Sequence, residues 1–479
     1  MAGKSSNISR MAMKAMGLFG GVQVAGILCS IIRTKLVALW IGPVGVGLFG
    51  LFNNALEMIS TGTNLGIRSS SVRDISQAIS GHNPDLVARM VSVVRKWSMW
   101  LGLAGALVTL TLAPLLSQVT FGDTAHIWGF VALSVAVLLQ ALTNGEYAVL
   151  QGTARLKRLA SVTLWGTIVG LAVSIPLFYW LRERSILPSI LAYAVALALF
   201  AWFFRNRDYP PVAMSRRETF DMGKGFVQLG IFMTLGNFAG ILASYAFNSW
   251  LNVNAGTEAV GYYQAGYTLI NKYTGLILTA LGMEYYPRLA KVADSHLRLR
   301  AFVSQEINLA IAVMAPVVAL FILLRELIIW ILYTPEFNVI FSFVSWGMIG
   351  TVLRTLSWCL AFTILARGDG KTYLWTEVAS AVINLGLNIL FYQWWGLTGL
   401  GVAFLVSYLL YTVIIAVVYF RVYHLQVTRP CLYNLLWTLA VSSGVMATMQ
   451  VGWTIPAALI TVVSIGVAMR QVIALWRRR

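Results

Sequence analysis

Charge is scarce in this chain: Asp, Glu, Lys and Arg make up 11% of 479 residues, and only 17 residues are acidic. A water-soluble domain carries about 25% charged residues, so an ordinary solvated surface is excluded. Cysteine is equally sparse. Cys29, Cys359 and Cys431 stand alone, which argues against a disulfide framework or a thiolate metal centre. The histidines His82, His126, His296 and His424 fall at loops or span ends, with no Ser/His/Asp set or metal-ligand spacing beside them. A GxxxxGKS/T phosphate loop is missing too, so direct use of ATP is not expected. The chain reads as a non-enzyme without cofactor or metal.

What is abundant is apolar sequence. Hydrophobic residues make up 58% of the chain and mean hydropathy is +0.76. Fourteen stretches of about 20 apolar residues follow one another, each long enough to cross a bilayer as a helix. Helices are expected throughout, because backbone polar groups in hydrocarbon must bond within their own segment or close a barrel. The first stretch, near Met1, has no small-residue cleavage site behind it and reads as a retained span. The fold class expected is an all-α polytopic membrane protein.

Basic residues sort by loop. Arg182, Arg184 and Arg325 fall on one side, and Arg33, Lys35, Lys272 and Arg354 fall inside spans. Every other Lys or Arg, from Lys4 to Arg479, falls on the opposite side. Positive charge marks the cytoplasmic side, so both termini are expected there, in a bacterial inner membrane. The net charge of +18 is then mostly a topology signal rather than a nucleic-acid patch. Arg325, beside Glu326, is expected at an outer interface. Aromatic pairs at span ends, Tyr285–Tyr286 and Trp394–Trp395, are expected in the interfacial belt.

The four in-span cations carry the functional signal, since a cation at mid-span costs about 2.5–3.5 kcal/mol and faces a cavity or a partner. Helical spacing gathers polar residues with them. Span 1 aligns Gly20, Gln23, Gly26, Ser30 and Arg33, and span 2 aligns Asn53, Glu57, Ser60, Thr61 and Asn64. Span 8 aligns Gln264, Thr268, Asn271, Lys272 and Gly275. Span 10 places Thr351, Arg354 and Trp358 together, and span 11 places Glu377, Ser380, Asn384 and Asn388 together. Converging stripes predict a central, hydrated, net cationic cavity. Two plainer readings stay open: polar stripes with glycine also serve ordinary helix packing, and Arg33 pairs with Glu57. Lys35 lies on another face from Arg33, near a helix end, where snorkelling is equally open.

A weak repeat divides the chain. Val46-Gly47-Leu48-Phe49-Gly50 opens span 2 as Val260-Gly261-Tyr262-Tyr263-Gln264 opens span 8. Six spans separate the copies, so they enter the membrane in the same direction, as a parallel repeat. The organisation expected is an N-lobe at 1–208, a C-lobe at 209–424, and a hairpin with a basic tail at 425–479.

Ile41-Gly42-Pro43 after an Arg-bearing first span resembles the polysaccharide flippases, the Wzx-type, O-antigen translocase branch of the multidrug/oligosaccharidyl-lipid/polysaccharide exporter superfamily. The same resemblance is carried by Val260-Gly261-Tyr262-Tyr263-Gln264-Ala265, Tyr286-Pro287-Arg288-Leu289 and Gly396-Leu397-Thr398-Gly399-Leu400-Gly401. It implies a flippase that moves a polyprenyl-diphosphate-linked oligosaccharide, an O-antigen or related lipopolysaccharide repeat unit, to the outer leaflet by alternating access. Arg33 resembles the first-span Arg of lipid II flippases. Relatives carry another Arg early in span 8, where this chain has Ala265-Gly266-Tyr267, leaving Lys272 as the candidate substitute.

On this reading Arg33 and Arg354 bind diphosphate, assisted by Lys272 and more weakly by Lys35. Glu57 holds Arg33 in the empty site. Asn53, Asn64, Gln264, Asn271, Glu377, Asn384 and Asn388 complete the substrate-binding set, with asparagines bonding sugar. Transport is expected to draw on an H+ or Na+ gradient or on mass action. The partners expected are the lipid-linked glycan, membrane lipid and glycan polymerase machinery, with a monomer as the oligomeric state. Two competitors differ in recognisable ways. A drug or organic-cation antiporter of the same superfamily needs more acid than base in its cavity, and a membrane glycosyltransferase or polymerase needs catalytic groups on a large outer loop.

Overall fold

The computed structural model describes the backbone of residues 2–81, 83–293 and 295–476. The side chains of residues 1–20, 82, 226–229, 232, 233, 287, 294 and 475–479 lie outside the described residues. The inner-side assignments of Lys4, Arg10, Lys14, Arg477, Arg478 and Arg479, the Gly20 end of the first stripe, His82 and Pro287 therefore lie outside them as well.

Among the described residues every regular element is helical. The order is α1 (Ala2–Trp40), α2 (Gly42–Asn64), α3 (Ile67–Ser80), α4 (Pro84–Thr111), α5 (Ala113–Phe121), α6 (Ile127–Gly152), α7 (Leu156–Leu181) and α8 (Ile186–Phe203). There follow α9 (Arg216–Tyr267), α10 (Thr274–Val292), α11 (His296–Leu323), α12 (Arg325–Leu332), α13 (Phe341–Ala366), α14 (Gly370–Val417), α15 (Arg429–Gln450) and α16 (Thr454–Trp476). Eight helical stretches among the described residues have the length and hydropathy of a membrane crossing, and nine if α4 and α5, bent by 64°, count as one. The chain is thus a multi-pass, all-α membrane protein. Two of the eight, Leu156–Phe203 and Gly370–Val422, span 48 and 53 residues. At about 1.5 Å per residue each is roughly twice a hydrocarbon thickness. Fourteen crossings is the count we propose from the sequence.

Local chemistry sets the breaks. Asn83 caps α4 by accepting from the Leu86 amide at 3.0 Å, with Pro84 in the first turn. Gly396 at φ 56 and Gly256 at φ 87 interrupt α14 and α9 in a backbone region that side chains avoid.

The chain divides into two compact units, Met1–Val260 and Gly261–Arg479. In the first, α6 lies against α3, α4 and α8, and α7 joins α1 to α8. A buried cluster including Ile67, Ile75, Val91, Val94, Trp97, Ala148 and Val149 fastens α3 to α4 and α6. Residues 209–260 belong to this unit: the Trp97 indole donates to Thr219 O at 3.0 Å, and Asn252 Nδ2 donates to Thr120 O at 2.9 Å. Gly230 sits on the Leu65-Gly66 bend so closely that a Cβ added at 230 would lie 2.1 Å from Leu65 O.

In the second unit α11 packs with α13, α15 and α16, and α13 packs along α14. A polar ladder holds the terminal hairpin. Asn434 Nδ2 donates to Asn308 Oδ1 at 2.5 Å and Gln471 Nε2 to Asn434 Oδ1 at 2.9 Å. Such bonds between membrane helices contribute about 0.6–2 kcal/mol each.

Two residues expected at interfaces are buried within the protein. Arg325 is 9% exposed, donates from Nη1 to Ser345 Oγ at 3.1 Å and lies 5.2 Å from the Phe341 ring centre. The reason is the break at Leu324: α12 starts afresh, and its first residue is buried. Tyr285 is buried as well, with its hydroxyl donating to Cys359 O at 2.9 Å, whereas Tyr286, Trp394 and Trp395 are exposed.

Candidate functional site

The first unit contains a cavity of about 310 Å³ walled by α1, α2, α3, α6 and α8. Among the described residues its charged lining residues are Arg33 and Arg68, with Asn53, Gln140, Thr143 and Asn144 as neutral polar groups and no carboxylate in the wall. Each arginine rests on aromatic rings. Arg33 lies 4.8 Å from the Phe49 ring centre and 5.2 Å from that of Tyr193, and Arg68 lies 4.9 Å from that of Tyr147. Stacking of this kind contributes about 0.5–2 kcal/mol, which does not cancel a charge.

Arg33 Nε is buried without a hydrogen-bond partner. A guanidinium held in a low-dielectric recess without its carboxylate favours an anion, and its planar fork matches phosphate oxygens. Ser60 Oγ donates to Gln140 Oε1 at 2.8 Å, fixing one amide of the wall. The cavity therefore combines two fixed cations with amide and hydroxyl groups suited to a polar, negatively charged head group.

Arg68 reaches the cavity through the backbone. Leu65 (φ 47) and Gly66 (φ 65) are both left-handed, which ends α2 and starts α3 one residue before Arg68. Charge sorting had placed Arg68 among the inner-loop cations. The sequence signal that could have found it is the Leu65-Gly66 pair just before it.

The other expected residues are distributed as follows. Asn53 shares the Arg33 cavity, and its Nδ2 donates to Phe49 O at 2.7 Å. Glu57, one turn after Asn53, is exposed, lies outside the cavity lining and forms no ion pair with Arg33 among the described residues. Asn64 is buried with Oδ1 unbonded, and Lys35 is half-buried outside the cavity lining.

In the second unit Arg354 Nη1 contacts Asn271 O at 3.5 Å and Thr274 Oγ1 at 3.4 Å, and lies 5.9 Å from the Tyr408 ring centre. Asn271 belongs to a π-helical turn, Thr268–Tyr273, of the kind that recurs at functional sites. Lys272 in the same turn is exposed, and Gln264 is half-buried. Glu377 accepts from the Tyr411 hydroxyl at 2.8 Å, and Asn388 Nδ2 donates to Asn384 Oδ1 at 2.9 Å. The structure thus joins Arg33 with Asn53, Arg354 with Asn271, and Asn384 with Asn388.

Fold and cavity together define a polytopic helical membrane protein with a recess lined by two arginines. An inward-facing multidrug resistance MATE family transporter of the MOP superfamily superimposes with a TM-score of 0.69 at 16% identity, over 87% of this chain and 94% of that one. The lipid II flippase MurJ, in an inward closed conformation, gives 0.67 at 11% identity over 95% and 98%. At those identities the likeness establishes the fold. The profile of the family described as "Polysaccharide biosynthesis protein" matches residues 73–342, and the chain belongs to that family. The lipid III flippases of Escherichia coli (strain K12) and Shigella flexneri are each 22% identical over 401 residues, covering 79% of this chain and 90% of theirs.

Proposed function

We propose that this protein is a flippase for a polyprenyl-diphosphate-linked oligosaccharide, an O-antigen or related surface-glycan repeat unit, passed from the inner to the outer leaflet of a bacterial cytoplasmic membrane. The observation that carries this reading is the cavity lined by Arg33 and Arg68 with no acid among the described residues of its wall. A diphosphate supplies about two negative charges, matching two guanidinium groups one for one. An organic cation would meet like charge there, which weighs against a drug antiporter. The relationship to the lipid III flippases supports the same substrate class.

In this mechanism the head group enters a cleft open to the cytoplasm while the lipid tail stays in the bilayer. Arg33 and Arg68 receive the diphosphate, and Asn53, Gln140 and Asn144 bond the first sugar. Transport follows alternating access; the first compact unit ends at Val260, and the second carries Arg354 and Lys272 as its in-span cations. The driving force is an ion gradient or substrate mass action.

The test is translocation of short-chain polyprenyl-diphosphate sugars in liposomes by wild type, Arg33→Ala, Arg68→Ala and Arg325→Ala. Losses of about tenfold or more in the first two variants support the assignment, on the weight of hydrogen bonds to charged groups. Loss confined to Arg325→Ala overturns it.

A further inference from the structure

The first unit holds a second cavity, of about 270 Å³, between α4, α6 and the end of α8. Its lining carries three charged residues, Arg95, Glu146 and Arg205. Arg95 and Glu146 neutralise each other: Nε meets Oε1 at 2.7 Å and Nη2 meets Oε2 at 3.0 Å. Arg95 Nη2 also donates to Asn206 O at 2.8 Å. Asn206 is fully buried and donates from Nδ2 to Thr153 Oγ1 at 3.0 Å. The residue after Arg205 is thus pinned twice, and the uncompensated charge of the cavity is Arg205. Its Nε is buried with no hydrogen-bond partner.

Apart from the Ser98 and Thr143 hydroxyls the rest of the wall is apolar, and two of its members, Trp202 and Met99, are 61% and 42% exposed. An exposed tryptophan beside a recessed cation at the end of a membrane helix matches the headgroup level of a bilayer, on the side where basic residues collect.

We infer that this cleft binds the head group of an anionic phospholipid of the inner leaflet, with the phosphodiester on Arg205 and an acyl chain along Met99 and Trp202. Charge selects that occupant. One uncompensated guanidinium matches the single charge of a phosphodiester rather than the two of a diphosphate. The site shares Thr143 with the wall of the Arg33 cavity but none of its charged groups, and the inference does not rest on the transport reading.

The test uses the full chain in mild detergent, with native mass spectrometry and thermal shift against phosphatidylglycerol, phosphatidylcholine, inorganic phosphate and a short polyprenyl diphosphate. Wild type is expected to retain one phosphatidylglycerol in preference to phosphatidylcholine. Arg205→Gln should weaken that binding about fivefold, the weight of one arginine near an anionic lipid surface. Arg207→Gln, an exposed neighbour outside the cavity lining, should leave it unchanged. Ala198→Leu, which fills the cleft from α8 without altering a charge, should reproduce the loss even if Arg205→Gln folds poorly. Equal binding of the two phospholipids, or an equal loss in Arg207→Gln, overturns the site. Displacement of the lipid by inorganic phosphate or by the polyprenyl diphosphate at equal concentration also overturns it, since either would make this an anion or substrate site.

Discussion

Arg33 in the first unit and Arg354 in the second are both guanidinium groups in membrane-spanning helices, yet their surroundings differ. Arg33 faces open volume, stacks on two rings and keeps a donor unbonded. Arg354 is spent on its own unit, with one nitrogen shared between Asn271 O and Thr274 Oγ1. A cation with internal partners stabilises its helices, whereas one without them has its binding capacity left for something else. Position in a span marks a cation as unusual. Its partners decide what it is for.

The contrast makes Arg33→Ala the largest expected effect: translocation of polyprenyl-diphosphate sugar in liposomes falls about 30-fold, while the thermal midpoint moves by no more than about 2 °C. Arg354→Ala should instead lower both, translocation about tenfold and stability by about 1 kcal/mol, as the π-turn loses its cap. If the two variants behave alike in both measurements, the distinction between the arginines is gone.

Arg325→Ala sharpens the contrast from the other end. It leaves Ser345 Oγ without its guanidinium donor, so stability falls by about 1 kcal/mol with translocation unchanged. A transport loss there would mean that the second unit also holds a working cation.

The smallest effect is one of pH. Asp369, between α13 and α14, is held below the usual carboxylate range, first by the Thr372 hydroxyl, then by the Thr372 amide and, more weakly, by Tyr423. A carboxyl with a depressed folded pKa contributes stability that is present above its unfolded value, about 3.9, and is lost as pH falls through the folded value. Thermal scans below about pH 4 should therefore separate wild type from Asp369→Asn less and less. A gap that widens on acidification contradicts that sign.

The helical, membrane-spanning character was legible because bilayer thickness dictates run length and the runs are long. Arg33 was legible for the same reason: a cation inside a run stands out. Arg68 was not, since a basic residue just past a span end also serves as a topology signal, and only the left-handed Leu65-Gly66 bend turns it into the cavity. Charge and its place one turn after Asn53 both suggested Glu57 as a partner for Arg33, yet the cavity wall takes Asn53 and leaves Glu57 out. The burial of Arg325 depends on a helix restart at Leu324, where no proline or glycine announces it.

The break at Gly256 has a practical meaning for anyone wishing to express the protein in two pieces. Nothing lies within 4 Å of where its side chain would stand, and the stretch before it, from Tyr209 onward, is fastened to Trp97, Thr120 and Leu65. A cut at 208 would strip that stretch from its bed, whereas a nick at Gly256 leaves it seated.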